Sequence, residues 1–381
     1  MKRILSSLII LILLTYCSFE GRNTYKESNN LVEVDFTNLP IYKFDTTLIE
    51  SIRYISLETN EKSIIGDIGK ILYSNEVFYI YDNKNQSIFL FDKSGNYIKN
   101  VGNLGRGPGE YISINAFDVD SNGNIYVWDG MSNKLIIYSK YDRKYSEYRL
   151  NKGFEEFIAA ADGHLIVRNL VHQGTIKSRI ASYDYINDES VELLDTRYYY
   201  DDFDIIRFGR FSLFKSKNRT FFNARFKNEV FEISSNKDIN KIIKINDPIK
   251  SRAVINQLKD SNNDYLQYQS IVHIGDIYEN SKIITMTIQR DLSHTLLISK
   301  ASGNYILFQN YIRASNYFGS WPIRGVAEEE FIAVFLPLQR DNLLWSKAVE
   351  RSALEYHEKQ ILLNRTTNDN PVLILFEYRD F

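Results

Sequence analysis

Histidine and cysteine are scarce in this sequence, so the chemistry its patterns point to rests on carboxylates, amides and aromatic rings. The five histidines, His164, His172, His273, His294 and His357, nowhere stand three or four residues apart, which leaves no short chelating pair. The one cysteine, Cys17, rules out an internal disulfide and a thiolate metal cluster. No H-E-x-x-H, G-x-S-x-G or Walker pattern is present. The oxygen donors with the clearest placement are Asn115, Asp118 and Asp129, near the ends of short apolar runs. Calcium takes carboxylate and amide oxygens of this kind. Turn and capping roles account for the same residue types.

Binding chemistry has three further candidates. Residues 102–111 carry four glycines and a proline, with Arg106 and Glu110 as the charged members. A phosphate cradle would need Gly-Lys-Ser/Thr running into a helix; here the run leads through Ile112, Ser113 and Ile114 into a strand. The stretch therefore reads as a shaped connection, with Arg106 and Glu110 as candidate ligand contacts, since function gathers on loops. Residues 198–204 read Tyr-Tyr-Tyr-Asp-Asp-Phe-Asp. Rings such as Tyr199 and Tyr200 can stack on a sugar while carboxylates accept its hydroxyl hydrogen bonds; an exposed connector packing on a rim is the other reading. Trp321, in Gly319-Ser320-Trp321-Pro322, is a similar case.

The elements that would position these residues are short strands. Residues 87–91 (SIFLF), a turn at 92–96 and residues 97–101 read as a hairpin. Residues 116–119, a turn at 120–124 and residues 125–128 form another, and 134–138 (KLIIY) restates the SIFLF segment one unit later. Several short strands repeated at ~40–50 residues mark a β-propeller blade. One such sheet cannot hide both faces, whereas blades packed around an axis cover one another.

The run G-x-x-G-x-G-P-G-E-Y followed by D-x-x-G-N-I-Y-V-x-D resembles the six-bladed β-propeller lipoproteins of Bacteroidales, which are related in pattern to NHL-type and TolB-type propellers. The motif covers residues 92–129, with a weaker echo at 370–375 (NPVLIL). The resemblance implies a six-bladed fold and an envelope location, and it carries over no catalytic residue.

The chain start agrees with export. Lys2 and Arg3 precede an unbroken apolar run at 8–14, too short for a permanent span of a bilayer ~30 Å thick. Leu14-Thr15-Tyr16-Cys17 resembles a bacterial lipobox, departing from it at Tyr16, where a small residue is usual. Residues 1–17 are thus expected to be a lipoprotein signal with Cys17 as the lipidated residue, 18–30 a flexible tether, and 31–381 an all-β six-bladed propeller. Blades are expected at 68–101, 114–150, 157–194, 208–245 and 271–311, with the sixth beginning near Arg324 and holding 330–336 and 372–378. Alternating strands at 31–36 and 52–57 are expected to pair with C-terminal strands and close the ring. Helical insertions are expected at 247–258 and 341–356.

Net charge is −2, so there is no electrostatic case for nucleic acid. The functional expectation is a lipid-anchored envelope module, on the periplasmic side, that binds a glycan, a peptide or a partner protein without catalysis. The alternative is a metal-dependent propeller hydrolase or lyase with calcium in the central channel. A purely structural envelope subunit is the third reading. No other cofactor is implied.

Overall fold

Strand Val77–Asp82 reads Val-Phe-Tyr-Ile-Tyr-Asp and is buried on both faces. Phe78 and Ile80 pack to one side and Val77 and Tyr79 to the other. Alternation of period two normally puts one face in water; here both faces need a protein partner. The same holds at Ser87–Asp92, where Phe89 and Phe91 point one way and Ile88 and Leu90 the other. The fold is the solution to that demand.

The structure is a computed structural model of the whole chain and describes residues 26–36, 39–42, 46–140, 144–173, 175–194, 212–216, 219–224, 228–246, 273–289, 293–309, 322–336, 350, 355–366 and 368–381. Six small antiparallel sheets form a six-bladed β-propeller. Blade 1 holds Ile68–Ser74, Val77–Asp82, Ser87–Asp92 and Tyr97–Val101. Blade 2 holds Ala116–Val119, Ile125–Asp129, Lys134–Tyr138 and Tyr145–Arg149. Blade 3 holds Glu156–Ala159, Leu165–His172, Thr175–Asp184 and Glu189–Leu194. Blade 4 holds Leu213–Ser216, Arg219–Ala224, Glu229–Ile233 and Ile239–Asn246. Blade 5 holds His273–Glu279, Ile283–Gln289, Ser293–Ser299 and Tyr305–Gln309. Blade 6 is built from both chain ends: Gly325–Ala327, Glu330–Phe335, Val372–Tyr378 and, as its outermost strand, Ile49–Ser56. The blade limits agree with the expected ones to within a few residues.

The first strand of each blade touches the first strand of the next, from blade 1 round to blade 6 and back to blade 1, so the circle is closed. Among the described residues the core is not central but divided into six apolar clusters, one at each junction between neighbouring blades. Between blades 1 and 2, for example, Val77, Tyr79 and Leu90 meet Phe117, Val127 and Ile136.

Strands alternate in direction, which gives the ring two unlike faces. Turns joining first to second and third to fourth strands share one face, the turn face. Second-to-third turns and the connections between blades share the other, the crossover face. Bonds between blades follow this division: Asn75 Nδ2 donates to the Ser121 carbonyl at 3.1 Å, and Lys237 pairs with Asp162 at 3.2 Å, both on the turn face.

Closure uses the expected strand at 52–57, observed as Ile49–Ser56 pairing antiparallel with Val372–Tyr378. The expected pairing of 31–36 with C-terminal strands does not form. Strand Lys26–Asp35, which begins before the expected boundary at 31, lies parallel to Ile239–Asn246 as a fifth strand on the outer edge of blade 4. Ile41–Tyr42 then lies parallel to the outer strand of blade 5, before Ile49–Ser56 completes blade 6. The N-terminal segment is a belt across three consecutive blades. Its alternating sequence fits any strand edge with one buried side; which edge it takes is a matter of chain geometry that alternation does not encode.

The repeat also differs in phase from its sequence reading. Ser87–Asp92 and Lys134–Tyr138 are equivalent third strands, 134 − 87 = 47 residues apart. The two D-x-x-G-N turns are not equivalent. Asp92 caps the third-to-fourth turn of blade 1 and Asp120 the first-to-second turn of blade 2. Both lie on the turn face, where the same Asx-turn chemistry serves either position. Gly95, at φ 87°, sits where an added Cβ would come within 2.3 Å of the Ser56 carbonyl, so blade 1 packs tightly on the closing strand.

The expected helix at 247–258 lies outside the described residues, as does most of that at 341–356. One described helix, α1 (Tyr356–Leu363), lies in the same insertion of blade 6, and its Leu362 packs among Tyr54, Phe331 and Phe376.

Two outcomes follow from this architecture. Phe91→Ala should cost about 3–5 kcal/mol in urea unfolding, as for other buried aromatics. A chain lacking residues 26–48 should still fold, with a lowered melting midpoint, whereas one lacking 26–56 loses the closing strand and should show no cooperative transition in calorimetry.

Candidate functional site

The six first strands line the axis, and four of them place an ionisable side chain in one linked group. Lys70 comes from blade 1, Asp118 from blade 2, Glu156 from blade 3 and Lys215 from blade 4. Lys70 Nζ donates to the Phe117 carbonyl at 2.9 Å and lies 5.4 Å from the Phe117 ring centroid. Asp118 is 2% exposed; its Oδ2 accepts from the Ala159 amide at 2.8 Å and faces Lys215 Nζ at 3.4 Å. Lys215 Nζ also donates to the carbonyls of Val119 and Ala159, each at 3.0 Å. Glu156 Oε2 accepts the amides of Ser212 and Leu213 at 2.8 and 3.0 Å, while its Oε1 stands 3.2 Å from Arg168.

The Lys70–Phe117, Asp118–Ala159, Glu156–Leu213 and Lys215–Ala159 bonds join neighbouring blades, Lys215 also reaches across to blade 2, and the Glu156–Arg168 contact stays within blade 3. Blade 5 continues the pattern. Buried Glu279 takes Arg219 of blade 4 at 2.9 Å and Lys300 at 3.2 Å, and Ser216 Oγ donates to its carbonyl. Asn223 of blade 4 donates to the carbonyls of Ile274 and Gly275, each at 2.8 Å.

The electrostatics follow from burial. Removal from water pushes the Lys70 ammonium below its ordinary pKa, and the Lys215 charge adds to this; Asp118 and Glu156 oppose it without cancelling it. The four groups carry two formal charges of each sign, so the cluster is balanced. It holds neighbouring blades together, and two of its oxygen donors already face amides and cations.

The residues singled out from sequence are not assembled into one site. Asn115 and Asp129 do come together. Ser113 Oγ bridges them at 3.0 and 3.3 Å, and Asn115 Oδ1 accepts the Gly130 amide at 2.7 Å. Asp129 accepts the amides of Ile112, Met131 and Ser132 and the Ser132 hydroxyl. Burial alone would raise its carboxyl pKa, but these hydrogen bonds outweigh it and hold the group below its usual value. Asp82, at the same place in blade 1, caps its turn in the same way, accepting the amides of Gly66, Asp67, Lys84 and Asn85. Asp118 bonds to neither Asn115 nor Asp129 in these networks, being turned to Ala159 and Lys215. Among the described residues no group of three or more His, Cys, Asp or Glu gathers as a metal site.

Arg106 is exposed on its loop. Glu110 is used within the loop: its carboxylate accepts the Gly107 amide at 2.8 Å and its carbonyl accepts Lys134 Nζ. Tyr138 donates to the Gly109 carbonyl at 2.9 Å, and residues 103–104 pair in parallel with 110–111. Cys17, Tyr199, Tyr200 and Trp321 lie outside the described residues. Lys70, Glu156 and Lys215 escaped the sequence reading. Their signal is a single charge in the first strand of blades 1 to 4, as in Ile68-Gly69-Lys70-Ile71 and Leu213-Phe214-Lys215-Ser216; it emerges only once the blades are in phase.

Residues 30–377 match the family model of a domain of unknown function, DUF4934. A search of curated proteins finds no match. Among solved structures, a protein named as exported from Bacteroides fragilis shares the fold at TM-score 0.72, with 16% identity over 92% of this chain and 100% of that one. A member of the DUF4221 family from Bacteroides vulgatus follows at TM-score 0.54, with 11% identity over 87% of this chain and 97% of that one. Virginiamycin B lyase from Staphylococcus aureus overlaps at TM-score 0.39, with 12% identity over 74% and 81% of the two chains, too low to bear on activity.

Asp118 is buried, whereas Lys215 keeps part of its side chain in water. Lys215→Met leaves the buried carboxylate without its cation and should cost about 1–3 kcal/mol in chemical denaturation, and Asp118→Asn/Lys215→Met should regain a large part of that loss. For Lys70, the folded state binds the proton less readily than the unfolded state. Stability relative to Lys70→Met should accordingly rise as pH is raised from neutral toward 10.5, read from urea midpoints at each pH.

Proposed function

The chain belongs to the DUF4934 family, and from that premise we propose that it is a cell-envelope binding module, held at a membrane by a lipid on Cys17. The closed propeller acts as a rigid frame whose rim loops engage a glycan, a peptide or a partner protein. The observation that carries the reading is the commitment of the axial groups. Asp118 and Glu156 face backbone amides and cations, and Lys215 is bonded to two carbonyls and Asp118. A channel whose polar groups are engaged in this way offers reacting atoms no open ligand set, so recognition falls to the loops. Arg106, exposed on a braced loop, is the contact assigned to that surface, with Tyr199, Tyr200 and Trp321 as the aromatic contacts.

The lipidated location rests on Lys2-Arg3, the apolar run and Leu14-Thr15-Tyr16-Cys17. Among the described residues no helix is long and apolar enough to cross a membrane. A diacylated cysteine holds a protein at a bilayer without a spanning segment. The periplasmic side is favoured because Ser18-Phe19-Glu20 is not an acidic run.

The competing reading, a metal-dependent hydrolase or lyase, needs ligands that Asp118 and Asp129 do not leave open. Purified protein offered a panel of lactones and glycosides should show no turnover that EDTA abolishes; such turnover would replace the binding reading with the enzymatic one. On a glycan array or with envelope peptides, binding should weaken about tenfold, ~1.4 kcal/mol, in Arg106→Ala. Cys17→Ser should move the protein from the membrane pellet to the soluble fraction and end incorporation of a clickable fatty acid.

A further inference from the structure

Where the belt starts sets how the ring stands on a bilayer. Lys26 pairs with Asn240 and Asp35 with Asn246. Ile239–Asn246 is the fourth strand of blade 4 and runs from its third-to-fourth turn toward the crossover to blade 5. Lys26 therefore lies at the turn face, and the belt climbs toward the crossover face from there.

Cys17 is 26 − 17 = 9 residues before Lys26. Fully extended, nine residues reach about 30 Å, and a relaxed polar chain of that length spans on average ~15–18 Å. Crossing from one face to the other along this strand, from Asn240 to Asn246, takes six steps of ~3.3 Å, or about 20 Å. An anchor on Cys17 reaches a bilayer beneath the turn face with the chain relaxed. To bring the crossover face to the same bilayer, the segment would double back up the blade and use most of its full extension.

We propose that the anchored propeller rests with its turn face toward the lipid surface and presents its crossover face, with Arg106 and the braced 102–111 loop, away from it. This rests on the lipidation of Cys17 stated above. On the turn face the third-to-fourth turn of neighbouring blade 3 leaves Ile186 66% exposed. The crossover face exposes Met131, Leu104 and Ile64, so apolar exposure does not separate the faces and the orientation rests on the reach of the tether. With a net charge of −2 the chain as a whole has no electrostatic pull toward anionic lipid, so tether geometry sets the orientation.

The test uses the full lipidated chain in phosphatidylcholine vesicles. Lipidation occupies the only native thiol, so a fluorophore can be placed on Asn187→Cys, at the turn face, or on Met131→Cys, at the crossover face; both positions are exposed. Energy transfer to a headgroup acceptor should be several-fold stronger from position 187 than from 131. Equal or reversed transfer on vesicles that carry the protein through flotation overturns the orientation and leaves the anchor standing. Failure of the unlabelled protein to float with vesicles overturns the anchor and the orientation together.

Discussion

Burial of both faces of every blade is the constraint on which the molecule depends. A sheet whose second and third strands read Val-Phe-Tyr-Ile-Tyr-Asp and Ser-Ile-Phe-Leu-Phe-Asp needs a neighbour on each side, and that neighbour needs its own. Only a closed ring satisfies the demand for every sheet at once. The apolar clusters therefore sit between blades, and the axis, which no junction fills, is left to polar groups. The Lys70, Asp118, Glu156 and Lys215 group follows from this geometry. Where four first strands converge, side chains reach across to the backbone next door, and the buried Asp118 carboxylate is matched by the Lys215 ammonium.

The ring is also what lets a polar axis be stable. Asp118 is 2% exposed, yet it is held by an amide from blade 3 and an ammonium from blade 4. These bonds run sideways between blades, whereas the ladder bonds run within them, so the two systems brace perpendicular directions. Asp82 and Asp129 do a similar service on the crossover face, gathering amides from the incoming connection and from their own turn.

Much of this was legible beforehand, for physical reasons that differ by element. Third strands such as Lys134–Tyr138 announce themselves because their apolar content is dense and a turn residue follows. The turns at 92–96 and 120–124 were readable, but not the place of each in its blade, since an Asx turn carries no record of that place. The belt was readable as strand and misplaced as to partner, because the pairing of Val34 with Ile245 depends on a chain path through residues that have no pattern of their own. Of the candidate contacts, Glu110 hydrogen-bonds within its own loop, while Asn115 and Asp129 share a turn that Asp118 does not join. The axial lysines were invisible because each is a single charge in an otherwise apolar strand, and only convergence in space gives it company.

The belt has a consequence for how the protein is made. Ile49–Ser56 precedes its partner Val372–Tyr378 by 372 − 56 = 316 residues, and the edges that receive Lys26–Asp35 and Ile41–Tyr42 also follow them by about 200 residues or more. Vectorial synthesis thus hands over the fastener long before the thing to be fastened. Pairings so remote in sequence form slowly, and until Val372–Tyr378 is in place Ile49–Ser56 lacks the strand it pairs with. Closure of the ring is in this sense a late event, timed by the strand at 372–378.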